Sequence, residues 1–260
     1  MMSPVQYLAA TVAADDVVWR LPGAARHRTS LLVLPHAGGN AHAYADWRGL
    51  LPADVRLLIG QYPGRGARFA EDLPVGIDDL AGPIAACLPE DTDDLVVLGH
   101  SMGSLVAFEV ARALTAQGRP PRAFVASACR APFLPNPSRV EPERLTDDDL
   151  VAALKERGGT DDAVLDEPEL REIVLPSIRA DFAIDDAYRF TGALPALGCP
   201  VTALGGAQDP IVPVDALADW AEVTDREAAL TVLPGGHFYF QDRLPEFLSL
   251  VTSILAARPA

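Results

Sequence analysis

The sequence predicts an α/β fold: a mostly parallel, doubly wound sheet carrying a helical lid insertion. Short runs of Leu, Val and Ile recur at 31–34, 55–59, 95–98, 123–126, 201–204 and 230–233. They lack alternating polarity, as expected of parallel strands covered on both faces. Segments of helical spacing lie between them, at 42–50, 77–88, 102–117, 214–221 and 242–256, and this alternation implies a doubly wound sheet. At one strand-to-helix corner, Gly99-His100-Ser101-Met102-Gly103 sets a serine between two glycines. That layout is a nucleophile elbow, a turn too tight for a flanking side chain, with the hydroxyl projecting above the sheet edge.

Taken in order, Val17-Val18-Trp19-Arg20 reads as an antiparallel strand at the sheet edge. The rhythm of strands and helices then runs to 126 and breaks over 130–195, which opens with Pro132, Pro135 and Pro137. Within it, Thr146 caps a helix whose first turn is Asp147-Asp148-Asp149; that helix stops at Gly158-Gly159. A second helix is expected from about Pro168 and a third over 177–188, with Pro176 as a break or kink. An insertion at this place, after the elbow, is where a lid over an active site would sit; an extra packing layer is the alternative.

The 260 residues suit one large α/β domain, 1–260, with the insertion inside it. Hydrophobic content of 49% and charged content of 22% exclude disorder for most of the chain. No apolar run reaches the roughly 18–20 residues that span a bilayer. The start, Met1-Met2-Ser3-Pro4-Val5-Gln6-Tyr7, lacks the basic and apolar regions of a signal peptide. Cys87, Cys129 and Cys199 are widely spaced and odd in number, which argues against disulfides or a metal site and fits a reducing cytoplasm. A net charge of -15 disfavours nucleic acid and anionic membranes. An acidic partner would need a local basic patch, for which Arg65, Arg68, Arg130 and Arg139 are candidates because they fall in loops.

Serine is a poor nucleophile at neutral pH and needs a base, itself oriented by an acid. On this architecture acid and histidine follow the nucleophile in that order, after later strands. Asp209 directly follows the run 201–204, and His237 follows the last strand in Gly235-Gly236-His237. Strand-end position favours Asp209 over the rival Asp215, which lies at or inside the next helix. The expected roles are Ser101 as nucleophile, His237 as base and then acid, and Asp209 as the group that fixes the imidazole. The expected oxyanion donors are the backbone N–H of Met102, after the nucleophile, and that of Ala37 in the loop Pro35-His36-Ala37-Gly38-Gly39-Asn40. His36 is expected to shape this loop and His100 to point away from Ser101; His27 and His42 carry no signal.

With these residues assembled, the chain resembles the type II thioesterases that accompany polyketide and nonribosomal peptide synthetases. The resemblance rests on Leu34-Pro35-His36-Ala37-Gly38-Gly39, Gln61-Tyr62-Pro63-Gly64-Arg65-Gly66, Gly99–Gly103, Leu175-Pro176-Ser177-Ile178-Arg179-Ala180-Asp181-Phe182 and Gly235-Gly236-His237-Phe238. It implies an α/β-hydrolase fold and a free-standing cytoplasmic enzyme. The implied activity is hydrolysis of acyl groups, including stalled ones, from the phosphopantetheine arm of acyl or peptidyl carrier proteins. No cofactor or metal is implied, since the arm belongs to the partner. Arg65 sits in a family motif and so has a structural alternative to docking. Asn40, where a small residue is common, and the bulky Phe238-Tyr239-Phe240 depart from the pattern.

The other readings are a small-molecule carboxylesterase on the same fold, an excised chain-releasing thioesterase domain, and a non-catalytic protein on a hydrolase fold. The complete triad argues against the last. A monomer is expected, because no amphipathic surplus is visible.

Overall fold

The computed structural model describes residues 17–21, 27–88, 94–136, 141–160 and 162–257. The leader reading on Met1–Tyr7, and the positions Pro137 and Arg139, lie outside the described residues.

Among the described residues seven strands form one sheet: β1 (Val18–Leu21), β2 (Thr29–Leu34), β3 (Val55–Gly60), β4 (Leu95–His100), β5 (Ala123–Ser127), β6 (Val201–Gly206) and β7 (Ala228–Leu233). Their order across the sheet is β1-β3-β2-β4-β5-β6-β7. Of these strands the β1–β3 pair is antiparallel, with Val18 opposite Gly60; the other pairs are parallel. Chain order reverses at β2, which lies between β3 and β4, and a doubly wound sheet presents its site beyond the carboxyl ends of strands at such a point.

The helices are α1 (His42–Ala45), α2 (Ile77–Cys87), α3 (Met102–Ala116), α4 (Asp147–Arg157), α5 (Asp162–Asp166), α6 (Pro168–Ala187), α7 (Asp215–Ala218) and α8 (Leu244–Ala256). The expected helices at 42–50 and 214–221 each begin as one α-turn and continue as 3-10 turns, Asp46–Gly49 and Asp219–Val223. Successive strand residues fall into two cores. Leu32, Leu34 and Val97 join the α2–α3 side, while Leu31, Val33, Val96 and Leu98 join Trp47 and the α8 residues Phe247 and Val251. Both faces being covered, the strands need no polar alternation. β7 departs from this expectation: Leu230 is 43% and Val232 38% exposed, for a strand at the edge of the sheet.

The insertion, between β5 and β6, has as its described α-helices α4, α5 and α6, preceded by a 3-10 turn at Pro142–Arg144. It has its own small core of Leu150, Val151, Leu154, Leu165, Leu175, Ile178 and Phe182, against which Ala37 packs. The two helices expected around Pro176 are one continuous helix, α6. Pro176 stands on the exposed face, and the carbonyl it leaves unbonded belongs to exposed Glu172, which water can serve. Leu175, Ile178 and Phe182 bury the opposite face across the proline, so packing holds the helix together. Among the described residues no helix is long and apolar enough to cross a membrane.

Candidate active site

The elbow is built by close backbone contact. A Cβ on Gly99 would lie 2.1 Å from the Gly103 carbonyl oxygen, and one on Gly103 would lie 2.2 Å from that of Leu34. Neither site has room for a side chain, which is the reason for the two glycines. Ser101, between them, adopts φ 54° and ψ -130°. This is an unusual backbone for a serine, held by its N–H donating to Ser127 O (2.8 Å) and its carbonyl accepting from Ser104 N (2.8 Å).

Strand ends bring the partners together. The loop after β6 carries Asp209 and the loop after β7 carries His237. His237 Nε2 lies 2.9 Å from Ser101 Oγ, and His237 Nδ1 lies 2.9 Å from Asp209 Oδ2. The second carboxylate oxygen of Asp209 accepts from Ile211 N (2.8 Å) and Val212 N (3.1 Å). The side chains of His237 and Asp209 are 4% and 1% exposed, so this hydrogen-bonded chain is dry apart from the serine end. The rival Asp215 begins α7 and takes no part in it.

The two backbone N–H groups expected to meet a developing anion lie at the start of α3 and in the loop after β2. Met102 is the first residue of α3, where an N–H has no intrahelical acceptor. In the loop after β2, Gly38 N donates to Asp181 Oδ2 and Gly39 N to His36 O. Among the described residues the N–H groups of Ala37 and Met102 have no acceptor, so both stay open for one.

His36 and His100 are engaged in structural contacts. His36 Nδ1 pairs with Tyr44 Oη at 2.8 Å, and its Nε2 faces Gly159 O at 3.4 Å. Burial lowers its pKa to about 4, so it is a neutral loop support. His100 points its Nδ1 at Ser127 Oγ (2.9 Å), which in turn bonds Tyr239 Oη (2.7 Å). Burial, reinforced by His237, holds it well below the ordinary histidine range. His42 stands against Trp19, 4.4 Å between ring centroids. His27 lies ahead of β2, at the opposite end of that strand from the loop that carries Ala37.

Both departures from the family pattern have a structural role. Asn40 Oδ1 accepts from His42 N (2.9 Å) and Ala43 N (3.3 Å), supporting the first turn of α1. Phe238 packs 4.8 Å from His36, 4.9 Å from His100 and 5.2 Å from His237, forming an apolar wall beside the base. The insertion closes on that wall: a Cβ on Gly159 would fall 2.1 Å from the Phe238 ring.

Among the described residues, Arg65, Arg68 and Arg130 do not form the expected patch. Arg65 and Arg130 are buried in ion pairs with Asp181 and Asp185, and Arg68 is spent on a two-point contact with Glu71. Loop position in sequence says nothing about burial, and the helix Pro168–Ala187 of the insertion supplies the carboxylates that bury Arg65 and Arg130. Nor are Cys129 and Cys199 nucleophiles in waiting, since burial pushes their thiols up to about 12.

A serine elbow, a histidine and a carboxylate on the carboxyl edge of this sheet define the α/β-hydrolase class. The sequence matches the thioesterase domain family over residues 29–255. It is 37% identical over 228 residues to the linear gramicidin dehydrogenase LgrE of Brevibacillus parabrevis, covering 85% of each chain. To the thioesterase PikA5 of Streptomyces venezuelae it is 34% identical over 246 residues, covering 93% of this chain and 86% of that one. The solved type II thioesterase BorB of the borrelidin cluster superposes with a TM-score of 0.83 at 31% identity, covering 94% of this chain and 99% of that one. The chain belongs to the thioesterase family, and its activity is thioester hydrolysis.

Proposed function

We propose that this protein is a type II thioesterase that clears acyl groups from the phosphopantetheine arm of acyl or peptidyl carrier proteins in polyketide or nonribosomal peptide assembly. The observation that carries the reading is the unbroken Ser101–His237–Asp209 chain in a protein that matches BorB over nearly its full length.

In this reading Ser101 Oγ attacks the thioester carbonyl as His237 Nε2 takes its proton. The oxyanion that forms is met by the N–H groups of Ala37 and Met102. The carbon–sulfur bond breaks, the thiolate of the arm leaves with the proton from His237, and the acyl group stays on Ser101. A water molecule, deprotonated by His237, then attacks the ester, and carboxylic acid and free Ser101 result. Asp209 accepts the hydrogen bond from His237 Nδ1–H throughout. The protein needs no cofactor of its own, because the arm comes with the partner, and it works in the cytoplasm, where carrier-bound intermediates are made.

The dehydrogenase in the name of one relative has no matching motif here. The loop after β2, Pro35–Asn40, is not the Gly-x-Gly-x-x-Gly turn of a dinucleotide site, and the helix after it is a single turn. Hydrolysis of acyl-carrier thioesters, measured against p-nitrophenyl esters of the same chain length, tests the reading. Faster turnover on the carrier supports it. Faster turnover of the simple ester, with no carrier dependence, would make the protein an esterase.

A further inference from the structure

Two sequence motifs are left without a task by the triad: Gln61–Gly66, and the α6 segment ending in Asp181-Phe182. The structure joins them. Arg65 Nη1 donates to Asp181 Oδ2 (2.5 Å) and Nη2 to Asp181 Oδ1 (2.8 Å), a two-point pair 116 residues apart in sequence. The Asp181 side chain is fully buried and that of Arg65 is 8% exposed. Burial opposes the charge on Arg65, but the Asp181 carboxylate outweighs it and raises the guanidinium pKa. Asp181 Oδ2 also accepts from Gly38 N (2.7 Å), and Arg65 Nη1 reaches Gly39 O (3.3 Å). The first motif also holds the rest of the loop: Tyr62 Oη donates to Pro35 O (2.9 Å) and Gln61 Oε1 accepts from Ala41 N (2.9 Å). One turn before Asp181, Ile178 lies against Gly38, whose φ of +77° strains any other residue and where a Cβ would meet Ile178 Cγ1 at 3.0 Å.

We infer that Asp181 is a positioning residue for the oxyanion loop: with Arg65 it clasps α6 to the backbone at Gly38 and Gly39, and so aims the N–H of the adjacent Ala37. This rests on the acyl-enzyme reading above. Its consequence is that the insertion does more than cover the site, since moving α6 away removes the acceptor of Gly38 N and loosens the donor one peptide before it.

The bland alternative is a buried ion pair that only contributes to folding. Asp181→Asn separates the two when kcat, KM and the affinity for a trifluoromethyl ketone of the substrate acyl chain are measured together. The clasp predicts kcat down at least about 10-fold and at most by the ~10²–10³ that losing one oxyanion donor outright costs. KM should move little, and ketone affinity should fall in step with kcat. The double variant Arg65→Met/Asp181→Leu replaces the pair with apolar groups, an exchange that folded proteins tolerate; the clasp predicts the same loss of kcat there even with the melting temperature retained. Wild-type kcat in either folded variant would overturn the clasp while leaving Ser101 chemistry intact. Turnover retained in Ser101→Ala would instead overturn the reading beneath it.

Discussion

Gly103 meets Leu34 so closely that the first carbon of any side chain at 103 would sit 2.2 Å from the Leu34 carbonyl oxygen. The first turn of α3 is thus pressed onto the end of β2, and this contact sets the Met102 N–H beside the loop that carries Ala37. Backbone atoms, unlike the tip of a flexible side chain, cannot swing aside. Gly103→Ala is therefore expected to destabilise the protein by about 3 kcal/mol or more, at the upper end of overpacking costs. Gly49→Ala, where a Cβ meets nothing within 4 Å, should change stability little. Urea denaturation of both variants checks the contrast, and equal losses would count against it.

Asp209 spends both carboxylate oxygens inside the site, one on His237 and one on Ile211 and Val212. Asp209→Asn keeps the shape and turns the imidazole to the wrong tautomer, so turnover should drop by about 10⁴ with the fold unchanged. Asp215→Asn should leave the rate within a factor of about two, a change worth only a few tenths of a kcal/mol in the barrier. Steady-state rates of the two variants decide which aspartate serves His237.

Acid should unfold the protein early, through its neutral histidines. His36 titrates near 6.5 in the unfolded chain and, pushed down by burial, at about 4 in the native one. Between those values the unfolded state binds more protons, so stability is whole above pH 6.5, falls as the pH drops, and levels off below about 4. This histidine alone accounts for about 3 kcal/mol of that loss. Denaturant midpoints measured across the window should slope less in His36→Gln than in the wild type, whatever its absolute stability. An unchanged slope would assign the acid sensitivity elsewhere.

The insertion should exchange its amides unevenly. α4 and α5 rest on a small core and on exposed pairs such as Lys155–Asp166 and Arg179–Asp147, which contribute little. The second half of α6 is pinned by two buried pairs, Asp181 with Arg65 and Asp185 with Arg130. Hydrogen exchange should therefore be faster over α4 and α5 than over 175–187, with the central strands slowest. Uniform protection would mean that the insertion opens only with the whole molecule.

How far the sequence could be read depends on whether a feature is local. The strands were legible because each is an apolar run between turn residues, and β1 is shifted by a single residue from its expected place. The order Ser101, Asp209, His237 was legible because strand ends on a parallel sheet all face one edge. The continuity of α6 was not, since a proline reads as a break unless the packing of Leu175 and Phe182 on either side is known. Burial of Arg65 and Arg130 was not legible either: their carboxylate partners lie 116 and 55 residues away. The same distance hid the link between the Gln61–Gly66 motif and the oxyanion loop.

The most direct measurement is of the covalent step at Ser101. Rapid quenching of the wild-type protein with an acyl-carrier thioester, followed by peptide mass analysis, should find the acyl group on the peptide that contains Ser101, and Ser101→Ala should show neither adduct nor turnover. Acyl transfer to another residue, or hydrolysis undiminished in Ser101→Ala, would contradict the account.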